Sequence, residues 1–310
     1  MKRPFDRALA IAASLTLAAC SDAAPTPPPA ATATTTATAT ASATATATAA
    51  PAPPADETLS IVTSETAPLM IELEDDENAP YVLRKGELLE VVREVRSLHW
   101  KAKMDGIPST REGMGLEVRV SNGGVSFFTF QSDLGAKVTV PASRTLCERA
   151  RQTFPIDITA CTATLRRAKT PDGALLFYTP CTVGPCPIGL YRDGKTDIIA
   201  VDGVTLARFF PGKTRSVLLT EARWTADLGK QSGGKHVPIL IEGDRLRAQS
   251  PIPTDSVDAR DASQVKARLV QVKVTETEIA ITGEEKVSAP DGKVLSTKKI
   301  DEKHPLPALQ

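Results

Sequence analysis

Short runs of alternating apolar and polar residues fill the chain from about residue 57 onward. The alternation is clearest in residues 99–104 and 115–120, where an apolar side chain occupies every second position. A period of two with one polar face is typical of antiparallel strands that bury one side. The pattern therefore predicts an all-β fold.

Strands are predicted wherever such a run is bounded by turn residues. They cover residues 59–63, 69–73, 88–95, 99–104, 115–120, 125–131, 136–140, 156–165, 174–178, 196–201, 204–210, 216–221, 237–242, 265–274 and 278–282. Asp-Gly and Pro-Gly pairs between several of them predict tight turns, because glycine adopts the positive φ angles that such turns need. The polar residues 250–264 predict a long loop before the last hairpin.

One helix is predicted, over residues 145–153. Thr145 and Glu148 stand at the spacing of a capping box, in which each side chain bonds the other residue's backbone N–H. Leu146 and Ala150 then share one face of the helix. The expected role of this helix is to close one end of a barrel or to link two domains.

Changes in composition divide the chain into four segments. Residues 1–19 form a predicted signal peptide, and residues 20–57, rich in Ala, Thr and Pro, form a disordered tether that cannot bury a core. A first β domain covers residues 58–140, and a larger antiparallel β domain covers residues 141–310. The second domain is long enough for a core of its own, arranged as a sandwich, a barrel or a propeller-like sheet.

The first 19 residues have the organisation of a secretory signal. Lys2, Arg3 and Arg7 precede a short apolar run that ends near Leu17. A membrane-spanning helix needs about 20 apolar residues, so this run is too short to remain in the membrane as a span. A plain signal peptide is one interpretation.

The end of this segment, Leu17-Ala18-Ala19-Cys20, resembles the lipobox of a bacterial lipoprotein. The resemblance implies cleavage before Cys20 and acylation of that residue, for example with palmitate. In Gram-negative lipoproteins an Asp after the cysteine favours retention in the inner membrane, and here that position is Ser21. The resemblance therefore implies an outer-membrane protein that is held by its lipid anchor and faces the periplasm or the cell surface.

The charge balance gives no reason to expect nucleic acid as a partner. The chain has 37 Lys and Arg residues and 37 Asp and Glu residues. Removal of residues 1–19 takes away three basic residues and one acidic residue, which leaves a net charge of about −2. Nucleic acid binding requires a basic surface. No cofactor is expected either.

The four cysteines after Cys20 are Cys147, Cys161, Cys181 and Cys186. In an exported protein an even number of cysteines predicts disulfides. Three pairings are open, and the local one, Cys147 with Cys161 and Cys181 with Cys186, is preferred. Zinc is the alternative, but neither pair has the short CxxC spacing with nearby histidines that is usual at zinc sites. No metal is expected.

The first β domain shows a second resemblance. Lys85-Gly86-Glu87 opens one predicted strand, and Trp100 stands at the start of the next. This order is similar to that of bacterial SH3 domains, although Gly115-Leu116-Glu117-Val118 replaces the usual Gly-Trp-Val of the closing strand. The resemblance implies a small SH3-like barrel over about residues 60–135 and the binding of cell-wall peptides. Trp100 is the candidate ligand-binding residue, with a role in the core as the alternative.

Two motifs suggest chemistry, and each has a simpler interpretation. Residues 229–234 resemble the segment around the serine of trypsin-like proteases, but Ser232 would need a histidine and an aspartate, and only His99 lies upstream. Residues 193–197 resemble part of a calcium loop, yet half of the acidic ligands are missing. The simpler interpretations are a glycine-rich loop and a hairpin turn, so no catalytic residue is assigned.

These features predict an outer-membrane lipoprotein that acts as a non-catalytic binding or scaffolding module at the cell envelope. Besides the membrane that holds the lipid anchor, peptidoglycan is the expected partner. One alternative is a lipoprotein that binds or inhibits another envelope protein or a secreted protein. A serine hydrolase that uses Ser232 is a further alternative.

Overall fold

The computed structural model describes residues 56–71, 74–75, 81–104 and 107–307. The predicted signal peptide, the lipidation site Cys20 and the tether as far as residue 55 lie outside the described residues. Within the described ranges, no helix is long and apolar enough to cross a membrane.

The first strands follow one another closely along the chain. They are β1 (Glu57–Val62), β2 (Thr66–Leu69), β3 (Glu74–Asp75), β4 (Tyr81–Arg84), β5 (Glu87–Met104), β6 (Ile107–Arg119), β7 (Phe127–Phe130) and β8 (Leu134–Val140). A 3₁₀ turn, Gln131–Asp133, lies between β7 and β8, and another, Asp227–Gly229, occurs later in the chain. β5 contains both strands predicted over residues 88–95 and 99–104, because irregular pairing with β6 near Arg93 and Leu98 bends the strand without ending it.

Two α-helices follow in the described chain, α1 (Ser143–Thr153) and α2 (Ile158–Thr164). The position of α1 confirms the predicted helix, but its first turn is not held by a capping box. Instead, a carboxylate oxygen of Glu57 accepts the backbone N–H of Ser143 at 2.7 Å. The strand predicted over residues 156–165 is wrong, because Asp157 caps two backbone N–H groups there and starts α2.

The remaining strands are β9 (Arg166–Lys169), β10 (Leu175–Tyr178), β11 (Cys181–Arg192), β12 (Lys195–Val204), β13 (Leu206–Phe210), β14 (Ser216–Ala226), β15 (Gln231–Glu242), β16 (Arg245–Ala248), β17 (Ile252–Asp258), β18 (Val265–Val274), β19 (Glu278–Ser288) and β20 (Val294–Pro305). The loop predicted over residues 250–264 is wrong in its first half, which forms β17. Buried Ile252 and Thr254 fix that segment against the sheet despite its polar composition.

Most strands of the described residues form two large, mainly antiparallel sheets, and β2 and β4 form a separate two-stranded sheet, which confirms the predicted all-β fold. The ten-stranded sheet has the order β12-β11-β10-β9-β5-β1-β8, with β3, β6 and β7 joined to it beside β5. The eight-stranded sheet has the order β13-β14-β15-β17-β18-β19-β20, with β16 beside β15. Because β5 pairs with both β1 and β9, the ten-stranded sheet continues across residue 140, where the two predicted domains meet.

β14 shows how the two sheets are held together. Its residues 216–222 are all buried, so that both faces of the strand are covered. Leu218 packs in a cluster with Ile188 and Leu190 of the ten-stranded sheet. Leu219 packs on the opposite face, with Ile279 and other apolar residues of the eight-stranded sheet. A nearly continuous apolar run is the expected sequence for a strand in this position.

Gly189 is required where β11 passes the ring of Phe177. The two residues lie opposite each other in adjacent strands, and a Cβ atom at residue 189 would overlap the ring. We expect Gly189→Ala to lower the free energy of unfolding by about 1 to 3 kcal/mol, measured by urea denaturation. Gly113→Ala is the control, because a Cβ there meets only the edge of Phe130 at 3.7 Å. Equal effects of the two substitutions would show that the Phe177 ring moves aside.

Candidate functional site

Trp100, the candidate ligand-binding residue, lies in the core. Its side chain is 1% exposed and packs with Met70, Leu98 and Phe130. A ligand outside the protein therefore has no access to the ring. The structure favours the alternative role, in which Trp100 fills the interior beside β5.

The four cysteines form the two local disulfides that the sequence favours. Cys147 and Cys161 join α1 to α2, with Cα atoms 6.0 Å apart. Cys181 and Cys186 bridge an irregular part of β11, with Cα atoms 5.7 Å apart. Among the described residues, no group of three or more His, Cys, Asp and Glu side chains is arranged to hold a metal ion.

Ser232 lies within β15 and not in the glycine-rich loop that was expected. It pairs with Thr225 in β14 and with Val257 in β17. His99 lies in β5, which belongs to the ten-stranded sheet. The structure thus places the serine and the only upstream histidine in different sheets.

Residues 193 and 194 form a hairpin turn and residues 195–197 begin β12, in agreement with the simpler interpretation. Asp193 and Gly194 connect β11 to β12 with φ angles of 46° and 82°, the backbone of a tight two-residue turn. The carboxylate of Asp197 accepts the backbone N–H of Leu246 at 2.7 Å. This acidic side chain therefore has a structural partner in β16.

A cleft opens in the eight-stranded sheet where β18 separates from β17. Pairing between these strands ends at Ser256 and Arg268, whereas pairing of β18 with β19 continues to Val274. The cause is a β-bulge in the pairing of β17 with β15, which redirects β17 away from β18. The resulting space, called the β18 cleft from here on, has a volume of about 650 Å³.

The lining of the β18 cleft is mostly polar. It consists of Arg84, Arg208, Phe210, Glu221, Arg223, His236, Thr254, Asp255 and residues 270–274. Glu221 and His236 lie directly opposite each other in β14 and β15, so both side chains project from the same face of the sheet. With Lys273, the cleft has four cationic side chains and two carboxylates, which gives an excess of positive charge.

Both carboxylates of the cleft already have partners. Glu221 is 6% exposed and accepts a hydrogen bond from Nε of Arg223 at 2.6 Å. Asp255 accepts the backbone N–H of Val270 at 2.9 Å. Arg208 is exposed, and no hydrogen bond or ion pair joins it to another residue of the described ranges. An anion that enters the cleft would therefore meet a guanidinium with no competing partner.

His236 supplies a buried acceptor to the cleft. Its Nδ1 lies 3.2 Å from the carbonyl oxygen of Thr220, so Nδ1 carries the proton and Nε2 of the neutral ring keeps a lone pair. Burial lowers the pKa of His236, although the charge of Glu221 opposes this effect, and the lowered pKa favours the neutral ring. Within the described chain Nε2 has no hydrogen-bond partner, which leaves it able to accept an N–H group of a ligand.

A buried carboxyl group lies beside the cleft. Glu87 accepts the backbone N–H of Arg84 at 2.6 Å and the hydroxyl of Tyr178 at 3.3 Å. Burial raises the pKa of Glu87 to about 7, although the Arg84 N–H and the charge of Arg166 favour the ionised form. The side chain of Arg84 lines the cleft, where its guanidinium lies over the ring of Phe210. Glu87 therefore helps to position one wall of the cleft.

The sequence does not predict this cleft, although it contains one signal of it. Glu221 continues the alternation of Val217 and Leu219, so it occupies a position that faces inward along β14. Charged side chains at inward positions are costly unless they have partners, and they often mark a site. The partners themselves depend on strand order and register, which short-range patterns do not reveal.

The described part of the chain is thus an all-β fold with an open cleft that carries an excess of positive charge. No family model, curated protein or solved structure matches the chain. The function is therefore inferred from the residues of the chain itself.

Proposed function

We propose that this chain is an outer-membrane lipoprotein that binds another component of the cell envelope and catalyses no reaction. Acylated Cys20 is the anchor, and the Ala-, Thr- and Pro-rich segment that follows it links the anchor to the folded part. The observation that carries the binding function is the β18 cleft. Its volume of about 650 Å³ is within the range of ligand sites, and its charge suits an acidic ligand.

Two components of the envelope suit this cleft, because both present carboxylates. One is an acidic segment of another envelope protein, and the other is the peptide part of peptidoglycan. The open backbone edge of β18 favours the protein, since a chain of L residues can pair with it as a further strand. Peptidoglycan peptides contain D residues, which do not continue a regular strand.

We further propose that residues 58–140 form an SH3-like barrel, followed by a second β domain over residues 141–310. Strand pairing supports the barrel, because β8 pairs with β1, β1 with β5, β5 with β6, and β6 with β7. A separate apolar cluster that includes Val62, Leu89 and Val118 fills this group of strands. The family resemblance keeps peptidoglycan as the second candidate partner.

The lipid anchor is tested by fractionating Gram-negative cells that produce the chain. We expect the wild type in the outer membrane and expect Cys20→Ala to reduce that amount roughly tenfold or more, because burial of the acyl chains holds the protein there. Ser21→Asp is the matched variant, which should keep the lipid but move the protein to the inner membrane. Unchanged outer-membrane association of Cys20→Ala would rule out the anchor.

A further inference from the structure

The open edge of β18 is a feature that a peptide backbone can recognise. β18 pairs with β19 from Val265 to Val274, but β17 covers its other edge only at residues 266–268. The uncovered part, residues 270–274, is about 13 Å long at the usual rise of a strand. All five of these residues line the β18 cleft.

The direction of the backbone groups along this edge follows from one hydrogen bond. The N–H of Val270 points away from β19, because it is donated to Asp255. Successive residues of a strand direct their N–H and C=O groups to opposite edges, so Val272 and Val274 share the direction of Val270. Two further residues therefore present backbone donors and acceptors to the cleft, with no strand opposite them in the described chain.

Polar side chains complement this edge. Arg208 is exposed beside the cleft without an ionic partner in the described ranges, and Lys273 adds a second positive charge. The buried His236 offers the lone pair of Nε2 to a donor such as a peptide N–H. A ligand that satisfies all three features has an extended backbone and at least one carboxylate.

We propose that the β18 cleft binds an extended, acidic segment of a partner protein, which pairs as an added strand with residues 270–274 and places a carboxylate against Arg208. This inference rests on the proposed function, because it assumes that the cleft is the binding site. Main-chain hydrogen bonds to Val272 and Val274 supply affinity, and the charge of Arg208 selects acidic segments.

The test uses the full chain in mild detergent and a dye-labelled hexapeptide of alternating L-valine and L-glutamate, with binding measured by fluorescence anisotropy. We expect Arg208→Glu to weaken binding at least tenfold. A hexapeptide of valine and lysine should bind at least tenfold more weakly to the wild type. Arg144→Glu, on an exposed helix face where Arg144 pairs with Glu148, is the control and should leave the affinity unchanged.

Pairing of the backbone is tested separately from charge. Val272→Pro removes one N–H from the open edge. It removes no hydrogen bond to β19, because this N–H points away from β19, and proline is tolerated at strand edges. We expect it to weaken peptide binding at least tenfold, with an unchanged circular dichroism spectrum. Two hexapeptides that are N-methylated at alternate residues, one at the odd and one at the even positions, test the same contact without altering the protein. At least one of them should fail to bind.

Each result bears on the inference in a distinct way. Peptide binding that is insensitive to Val272→Pro and to N-methylation would overturn strand pairing. If no peptide binds but peptidoglycan sacculi retain the wild type and not Arg208→Glu, the partner is peptidoglycan and only this inference fails. If neither ligand binds, the proposed function of the cleft fails with it.

Discussion

Replacing Glu57 with Ala is expected to lower the free energy of unfolding by about 3 to 5 kcal/mol. The carboxylate of Glu57 lies 2.6 Å from the guanidinium of Arg167, whose side chain is only 4% exposed. Loss of the carboxylate would leave a buried positive charge without its ionic partner, which is costly in a medium of low polarity. The measurement is urea denaturation at pH 7, monitored by circular dichroism.

The same carboxylate has a second role, which adds to the expected loss. One oxygen of Glu57 accepts the backbone N–H of Ser143 and so caps the start of α1. Burial raises the pKa of Glu57, but the Ser143 N–H and the charge of Arg167 together hold it below its ordinary value. Glu57→Gln keeps an acceptor for Ser143 and removes only the charge, so it should lose less stability than Glu57→Ala.

An exposed ion pair on α1 is the control for this prediction. Arg144 and Glu148 lie 2.9 Å apart, a similar distance, but their side chains are 62% and 44% exposed. We expect Glu148→Ala to cost no more than about 0.5 kcal/mol, because water screens such pairs. If Glu57→Ala cost as little as Glu148→Ala, Arg167 would have found solvent or another anion after the substitution.

The contacts of Glu57 also show what the sequence could not reveal. Its two partners lie 86 and 110 residues away along the chain. No local pattern relates Glu57 to either of them, because their proximity follows from the strand order β9-β5-β1. Segmentation of the chain at residue 140 was based on local composition, whereas this ion pair joins strands from both sides of that position.

Features set by short stretches of sequence were predicted well. The alternation of residues 115–120 gave a strand, and Asp193 and Gly194 gave a tight turn, because each depends only on neighbouring residues. The strand expected at residues 156–165 became α2, since one capping side chain, Asp157, outweighed the β-branched residues that follow it. When two local signals predict different secondary structures, the packing around them decides which structure forms.

The candidate site was the least predictable part. Trp100 was selected for its size, and size equally suits the core, where the ring is buried. The β18 cleft depends on a bulge opposite residues 233–235 and on where pairing of β18 with β17 ends. Neither feature has a sequence signature in β18, whose regular alternation suggests only an ordinary strand.

The pH dependence of stability is expected to reveal the buried carboxyl group of Glu87. Burial raises its pKa in the folded protein to about 7, so the folded state holds a proton that the unfolded state releases at lower pH. The contribution of Glu87 to stability is therefore fully present below about pH 4.5 and is lost as the pH rises to about 7. The expected loss is roughly 3 kcal/mol.

Glu87→Gln isolates this effect, because an uncharged amide does not titrate and can still accept the N–H of Arg84. The free energy of unfolding of Glu87→Gln minus that of the wild type should increase from pH 4.5 to pH 7 and then become constant. The contribution of His236 is the same in both proteins and is removed by the subtraction. Its lowered pKa makes stability rise with pH in part of the same range. Urea denaturation at intervals of half a pH unit gives both curves.

Tyr178→Phe tests whether the carboxyl group titrates in its buried position. The Tyr178 hydroxyl donates a hydrogen bond to Glu87 and favours the ionised form. Its removal should raise the pKa of Glu87 further, so that the loss of stability extends to higher pH than in the wild type. A pH-independent difference for Glu87→Gln would mean that Glu87 reaches water in the folded protein. In that case the backbone of Arg84, and with it one wall of the β18 cleft, would be less firmly held than the structure indicates.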